Sequence, residues 1–308
     1  RFIPIFLFQL SEKIHIESEL EFSINENGET VVEMEYADLH YFLNDNTTIS
    51  AGKFLLPFGQ FGQNLHPSWV NKLPTVPGIY GHGPNGSMRA LIPMMNDTGV
   101  NVSNVFKVGP GKLFTDFYVV SGPREETIGE GTGINGPGPE VAFESKKGDN
   151  NGQAAFGGRI AYALLPQIEV GYSYYSGAYN ADGSLRYTMT NIDASWIGTY
   201  SNVRGEYITT TTEGYLEEDN NRVHDFERDG WYVQGAWQAR QLGNDWLNPV
   251  ELVLRKSKIS KIDGGDRTTF GVNYWLEPSA VLKVAFEETS LDSGLNDNRA
   301  FMQLAFGF

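Results

Sequence analysis

The chain has 308 residues, 40% hydrophobic and 13% aromatic, with no cysteine and a mean hydropathy of −0.33. Its 38 acidic and 23 basic residues leave a formal charge of −15, which speaks against nucleic acid as a partner because that would need a basic surface. No run reaches the ~18 consecutive apolar residues of a membrane helix, so any bilayer crossing has to use strands closed into a barrel.

Strand-like segments recur from end to end, and no long stretch carries a 3.6-residue apolar period. In chain order they are 3–10, 13–24, 30–42, 48–56, 98–107, 112–121, 154–164, 168–176, 185–197, 203–211, 230–241, 249–258, 266–276, 281–288 and 298–308. Many match the roughly 9–11 residues that cross a bilayer at a tilt, longer than the usual soluble strand. Their faces divide cleanly. Ile14, Ile16, Leu20, Phe22 and Ile24 oppose His15, Glu17, Glu19 and Glu21, and Leu282, Val284 and Phe286 oppose Lys283 and Glu287. The last segment (NRAFMQLAFGF) sets Ala300, Met302, Leu304, Phe306 and Phe308 against Arg299, Gln303 and Ala305. An alternating strand that ends on an aromatic suits the closing strand of a membrane barrel, its last ring at the interface.

The connections sort by length. Short turns lie at 11–12, 44–46, 109–111, 165–167, 198–202, 243–248 and 277–280. Longer loops lie at 57–97, 122–153, 177–184, 212–229, 259–265 and 289–297, and the two kinds alternate after a tight link at 25–29. Short turns at one end and long loops at the other are the asymmetry of an outer-membrane barrel. The expected fold is therefore all-β: one transmembrane antiparallel β-barrel domain spanning 1–308. Fifteen segments are visible, whereas single-chain bacterial barrels have even counts. The expectation is sixteen strands, with fourteen or eighteen as alternatives. The missing strand would precede Arg1, which reads as a mature or internal start, or would hide in 57–97.

No HExxH, GxSxG or paired-histidine spacing appears, so no enzyme, metal or cofactor is expected. The Gly-rich run 129–139 and the acidic loop 217–229 read as outer surface loops. A charge pattern is more informative. Glu17, Glu19 and Glu21 share one face, as do Glu33 and Glu35 on the next strand, so five carboxylates are expected on one lumen wall. The opposing basic candidates are Lys53, Arg159, Arg204, Arg240, Arg255, Arg267, Lys283 and Arg299. Carboxylate patches favour cations, although Glu–Arg pairing across the lumen is an equally good structural reading. The segment 57–80 holds four prolines with Phe58, Phe61, His66, Trp69 and Lys72, and its apolar residues need a surface to cover. It is expected to fold into the barrel mouth as a constriction; capping the rim or packing between subunits is the alternative.

The run EMEYADLHYFLNDNTTISAGKFLLPFGQFGQNLHPSWVN at 33–71, the segment GVNYWLEPSAVLKVAFEE at 271–288, residues 2–22 and the closing FMQLAFGF resemble the phosphate-selective porin O/P-like family of Gram-negative outer membranes. The resemblance implies a sixteen-stranded barrel, often trimeric, with an inward-folded third outer loop. It places the chain in the outer membrane, against lipid and lipopolysaccharide, as a homo-oligomer or beside other envelope proteins. The family's arginine ladder has no residue-by-residue counterpart in this acidic chain. The expected function is thus passive diffusion of small solutes or ions, without phosphate selectivity. A non-conducting structural barrel within a larger assembly is the alternative.

Overall fold

The computed structural model describes residues 1–24, 27–81, 88, 90–92, 96–126, 140–142, 151–217, 222–261 and 264–307. Among these residues fifteen strands form one antiparallel meander: β1 (Ile5–Ser11), β2 (Ile14–Ile24), β3 (Thr30–Asn44), β4 (Thr47–Leu55), β5 (Asn96–Val108), β6 (Gly111–Val120), β9 (Ala155–Leu165), β10 (Ile168–Ala178), β11 (Arg186–Ile197), β12 (Ser201–Glu217), β13 (Arg222–Gln238), β14 (Val250–Ile259), β15 (Gly265–Glu277), β16 (Ala280–Leu291) and β17 (Asn296–Phe306). A small separate hairpin pairs β7 (Arg124–Glu126) with β8 (Glu140–Ala142). Every neighbour in the large sheet is also the neighbour in sequence, β7 and β8 excepted. Among the described residues β1 pairs only with β2 and β17 only with β16, and the segment between β4 and β5 adds no strand to the sheet.

The strands form as the alternation predicts, but the burial is inside out. On β14 Glu251, Arg255 and Ser257 are buried, while Leu254 is 55% exposed. On β15 Arg267, Thr269 and Asn273 are buried against exposed Phe270, Val272 and Tyr274. On β16 Lys283 and Glu287 point in, and Val284 and Phe286 point out. A water-soluble sandwich would reverse this, since burying charge and exposing apolar surface is unfavourable on both counts. Lipid outside and a polar interior resolve it. β17 follows suit, with Met302, Leu304 and Phe306 outward; Phe308 lies outside the described residues.

Two local departures matter. β12 and β13 run beyond the expected boundaries, and their pairing continues past a bulge to Tyr215↔His224 and Glu217↔Arg222. The expected loop at 212–229 is thus partly a hairpin, continued by the β-favouring threonines Thr209–Thr212. Its tip, like the Gly-rich run 129–139, lies outside the described residues. The second departure is a β-bulge between β2 and β3. Glu19 pairs with Tyr36 and Leu20 with Met34, leaving Glu35 as the extra residue. An extra residue in a period-two strand moves everything beyond it to the other face.

Candidate functional site: the lumen and its inserted loop

The chain between β4 and β5 folds into the barrel. Leu56, Phe58, Phe61, Leu73, Ile79, Tyr80, Met88, Leu91 and Ile92 are all buried there. Most of them form one apolar cluster with Tyr118, Tyr175, Tyr187, Met189, Ile208, Tyr232 and Ile259 from the inner wall. This answers the need for cover that the apolar and proline-rich sequence created. Its first part holds a short helix, α1 (Phe61–Asn64).

Polar bonds fix the loop to the β10–β16 wall. The Glu206 carboxylate, 3% exposed, accepts from Gln60 N (3.2 Å), Phe61 N (2.9 Å), Tyr80 Oη (2.6 Å), Asn191 Nδ2 (3.0 Å) and Tyr232 Oη (3.1 Å). Gly59 N donates to Ser173 Oγ and Gly78 N to Ser257 Oγ, each at 3.0 Å. Gly59 has a φ of +66°, and a Cβ there would run into Glu206, so glycine is required where the chain turns inward. Lys72 Nζ lies 2.6 Å from Glu251 Oε1 and 5.5 Å from the Trp275 ring centroid. Leu73 packs over Gly271, where a Cβ would collide with it.

The basic candidates fall mostly on this wall, under the loop. Lys283 donates to the carbonyls of Ser68 and Asn71, and Arg255 Nη2 to Thr75 O at 2.7 Å. Arg159 bridges Asp193 (2.6 Å) and Glu169 (2.8 Å), and Arg267 Nε lies 3.6 Å from Glu287. Arg204 is half-buried on β12, on the same face as Glu206. Arg299 pairs with Asp297 at 2.6 Å, Lys53 Nζ donates to Met34 O at 2.6 Å, and Arg240 is exposed in a 3-10 turn (Ala239–Leu242) after β13. Of the loop candidates, Phe58 and Phe61 are in the apolar cluster, and Trp69 is half exposed with its ring against Gly307. His66 Nδ1–H donates to Gly62 O (2.6 Å), and burial holds its imidazole below the ordinary histidine range.

Between the docked loop and the β2–β5 wall lies a cavity of about 440 Å³. Glu17, Glu19, Tyr36, Asp38 and His40 line its barrel side, and Gln63, Asn64 and His66 its loop side. Of the five acidic candidates, Glu17 and Glu19 border this cavity. Glu21 pairs across the strands with Glu33 and is bound by Arg1 at 3.1 Å, while Glu35 is the bulge residue. The bulge brings in three groups that strict alternation from Glu33 and Glu35 assigns to the other face: Tyr36, Asp38 and His40. The sequence carries the signal, because the polar positions switch from odd (Glu33, Glu35) to even (Asp38, His40) along one strand.

Against solved structures, the chain is similar to the anion-selective porin from Comamonas acidovorans, with a TM-score of 0.62 at 12% identity over 98% of this chain and 87% of that one. It is similar to the outer-membrane channel DcaP of Acinetobacter baumannii, at 0.62 and 12% over 99% and 83%. Salmonella typhi OmpF, in complex with daunomycin, gives 0.58 and 13% over 98% and 88%. The fold is that of a porin β-barrel. No protein-family model and no curated protein matches the chain. The porin fold accounts for the inverted burial.

Proposed function

We propose that this chain is an outer-membrane porin, passing small solutes and preferentially cations by passive diffusion. The observation that carries the reading is the unequal treatment of charge around the lumen. Arg159, Arg255, Lys283 and Lys72 are each tied to a loop carbonyl or a carboxylate, while Glu17, Glu19 and Asp38 border a cavity beside the loop. A pathway lined by carboxylates, in a low-dielectric frame, attracts cations and slows anions. Phosphate selectivity has no support in that arrangement. The exposed apolar belt suits outer-membrane lipid and lipopolysaccharide, and a homotrimer is the assembly implied by the resemblance. A diffusion channel needs no turnover chemistry, so no enzymatic role is part of the proposal.

One observation favours the second reading, a closed scaffold within an envelope assembly: the loop brings a large apolar cluster into the barrel interior. Planar-bilayer recordings of the purified protein separate the two. Steady open currents with a cation-selective reversal potential in a KCl gradient are expected. Absence of any steady current would favour the scaffold instead.

A further inference from the structure

The cross-strand pairs His15↔His40 and Glu17↔Asp38 stack imidazoles and carboxylates on one patch of the lumen wall. Like charges directly opposite each other on neighbouring strands are destabilising unless something lies between them. His40 Nε2 sits 3.5 Å from Glu17 Oε1 and 3.4 Å from Asp38 Oδ1. The donor atoms of Glu17, Asp38 and His40 all lie within 4.8 Å of one another. In a tetrahedral site with zinc–ligand bonds of 2.0–2.1 Å, neighbouring donors stand about 3.3 Å apart. Two of the three edges are therefore close to ligand spacing already, and the third closes by a small rotation of either carboxylate.

Two further features point to a ligand. Asp38 is only 7% exposed, and its Oδ1, though within ion-pair distance of His40 Nε2, makes no hydrogen bond among the described residues. Such a buried acceptor is costly to leave unsatisfied. His40 Nδ1 lies 2.8 Å from Ser50 Oγ, itself buried. With Nδ1–H donating to Ser50, the Nε2 lone pair faces the two carboxylates, which is how outer-shell partners hold a metal-binding histidine in the correct tautomer. His15 Nε2 flanks the other Glu17 oxygen at 3.7 Å.

We propose that Glu17, Asp38 and His40 form a binding site for a divalent first-row metal ion, with zinc the best fit. The donor set contains an imidazole and is short of the six to eight oxygens that calcium takes, or the octahedral shell that magnesium demands. The fourth position opens on the cavity and is left to water. On binding, any proton on His40 Nε2 is released to solvent. The spacing in sequence hides this site, because its ligands come from two strands brought together by register and by the bulge at Glu35.

The test uses tag-free, folded protein in detergent, stripped with EDTA and titrated with zinc chloride by calorimetry at pH 7.5 in excess magnesium. One zinc per chain is expected, bound at least tenfold more weakly by Asp38→Asn and by His40→Ala, and roughly tenfold more weakly by Ser50→Ala through loss of tautomer control. Heat-modifiable gel migration shows that each variant is folded. Zinc-edge X-ray absorption of the wild type gives a second readout that needs no variant, and a shell of imidazole nitrogen with carboxylate oxygen is expected. No binding, unchanged affinity in folded Asp38→Asn and His40→Ala, or a zinc shell without imidazole would each overturn the site. None of these readouts depends on whether the lumen conducts.

Discussion

Replacing Glu206 by leucine removes the acceptor on which five donors converge, and it tests whether the loop is held by that carboxylate. Two of the five are the Gln60 and Phe61 backbone N–H groups at the start of α1, and two are the Tyr80 and Tyr232 hydroxyls. Each buried donor left without a partner costs about 1–3 kcal/mol. Because the donors relax together, their costs do not add, and a net loss of about 3–5 kcal/mol is expected, as for breaking a buried charged network. That is roughly a 10²–10⁴-fold shift in the docking equilibrium of the loop. Glu206→Gln supplies the control. Asn191 Oδ1 has no partner among the described residues, so its amide can turn to accept from the new glutamine, and a loss of about 1 kcal/mol is expected. The assay is limited trypsin digestion of the folded barrel, scoring cleavage after Lys72, whose rate tracks the population of the undocked loop. Faster cleavage in the leucine variant, with the glutamine variant close to wild type, is the expected order. Equal cleavage in all three would refute the assignment of Glu206 as the anchor.

Neutralising Glu17 and Asp38 together, as Gln and Asn, should move the reversal potential in a KCl gradient toward zero; an unmoved potential would separate these carboxylates from the conducting path. Gly271→Ala should displace Leu73 and destabilise loop docking by about 1–3 kcal/mol, and adding Leu73→Ala should recover part of the loss, measured by the same cleavage assay. Arg159→Met should destabilise the folded barrel by about 3–5 kcal/mol, because Asp193 is fully buried and loses its partner, whereas the double change with Asp193→Asn should cost less; urea unfolding in detergent measures both. His66 carries a pH prediction. Burial lowers its folded pKa, so the docked loop is favoured in full above the unfolded value of 6.5 and progressively less as the pH falls below it, when the undocked loop takes up the proton first. Trypsin cleavage should therefore rise on acidification below that value, and His66→Asn should flatten the response.

The fold was legible because its signal is repeated. Fifteen alternating segments and a strict order of short and long links leave little freedom, and single errors such as the ends of β12 and β13 do not disturb the topology. The site was legible only in part. Glu17 and Glu19 announce themselves by period two, and the apolar residues of 57–80 announce that they need cover. Asp38 and His40 do not, because their face depends on a bulge whose only trace is a change from odd to even polar positions. Nor does any local pattern say that Lys283 and Arg255 will be capped by loop carbonyls. Those partners lie some two hundred residues away in the chain and meet only once the barrel has formed.

The bulge at Glu35 also means that the chemistry of this wall is set by counting as much as by composition. Removing that one residue would leave a regular ladder, Glu19↔Tyr36 followed directly by Leu20↔Met34, with Glu33, Tyr36, Asp38 and His40 all still facing the lumen. Removing Met34 instead would leave Glu35 to take its place opposite Leu20, which puts a carboxylate on the face toward the bilayer.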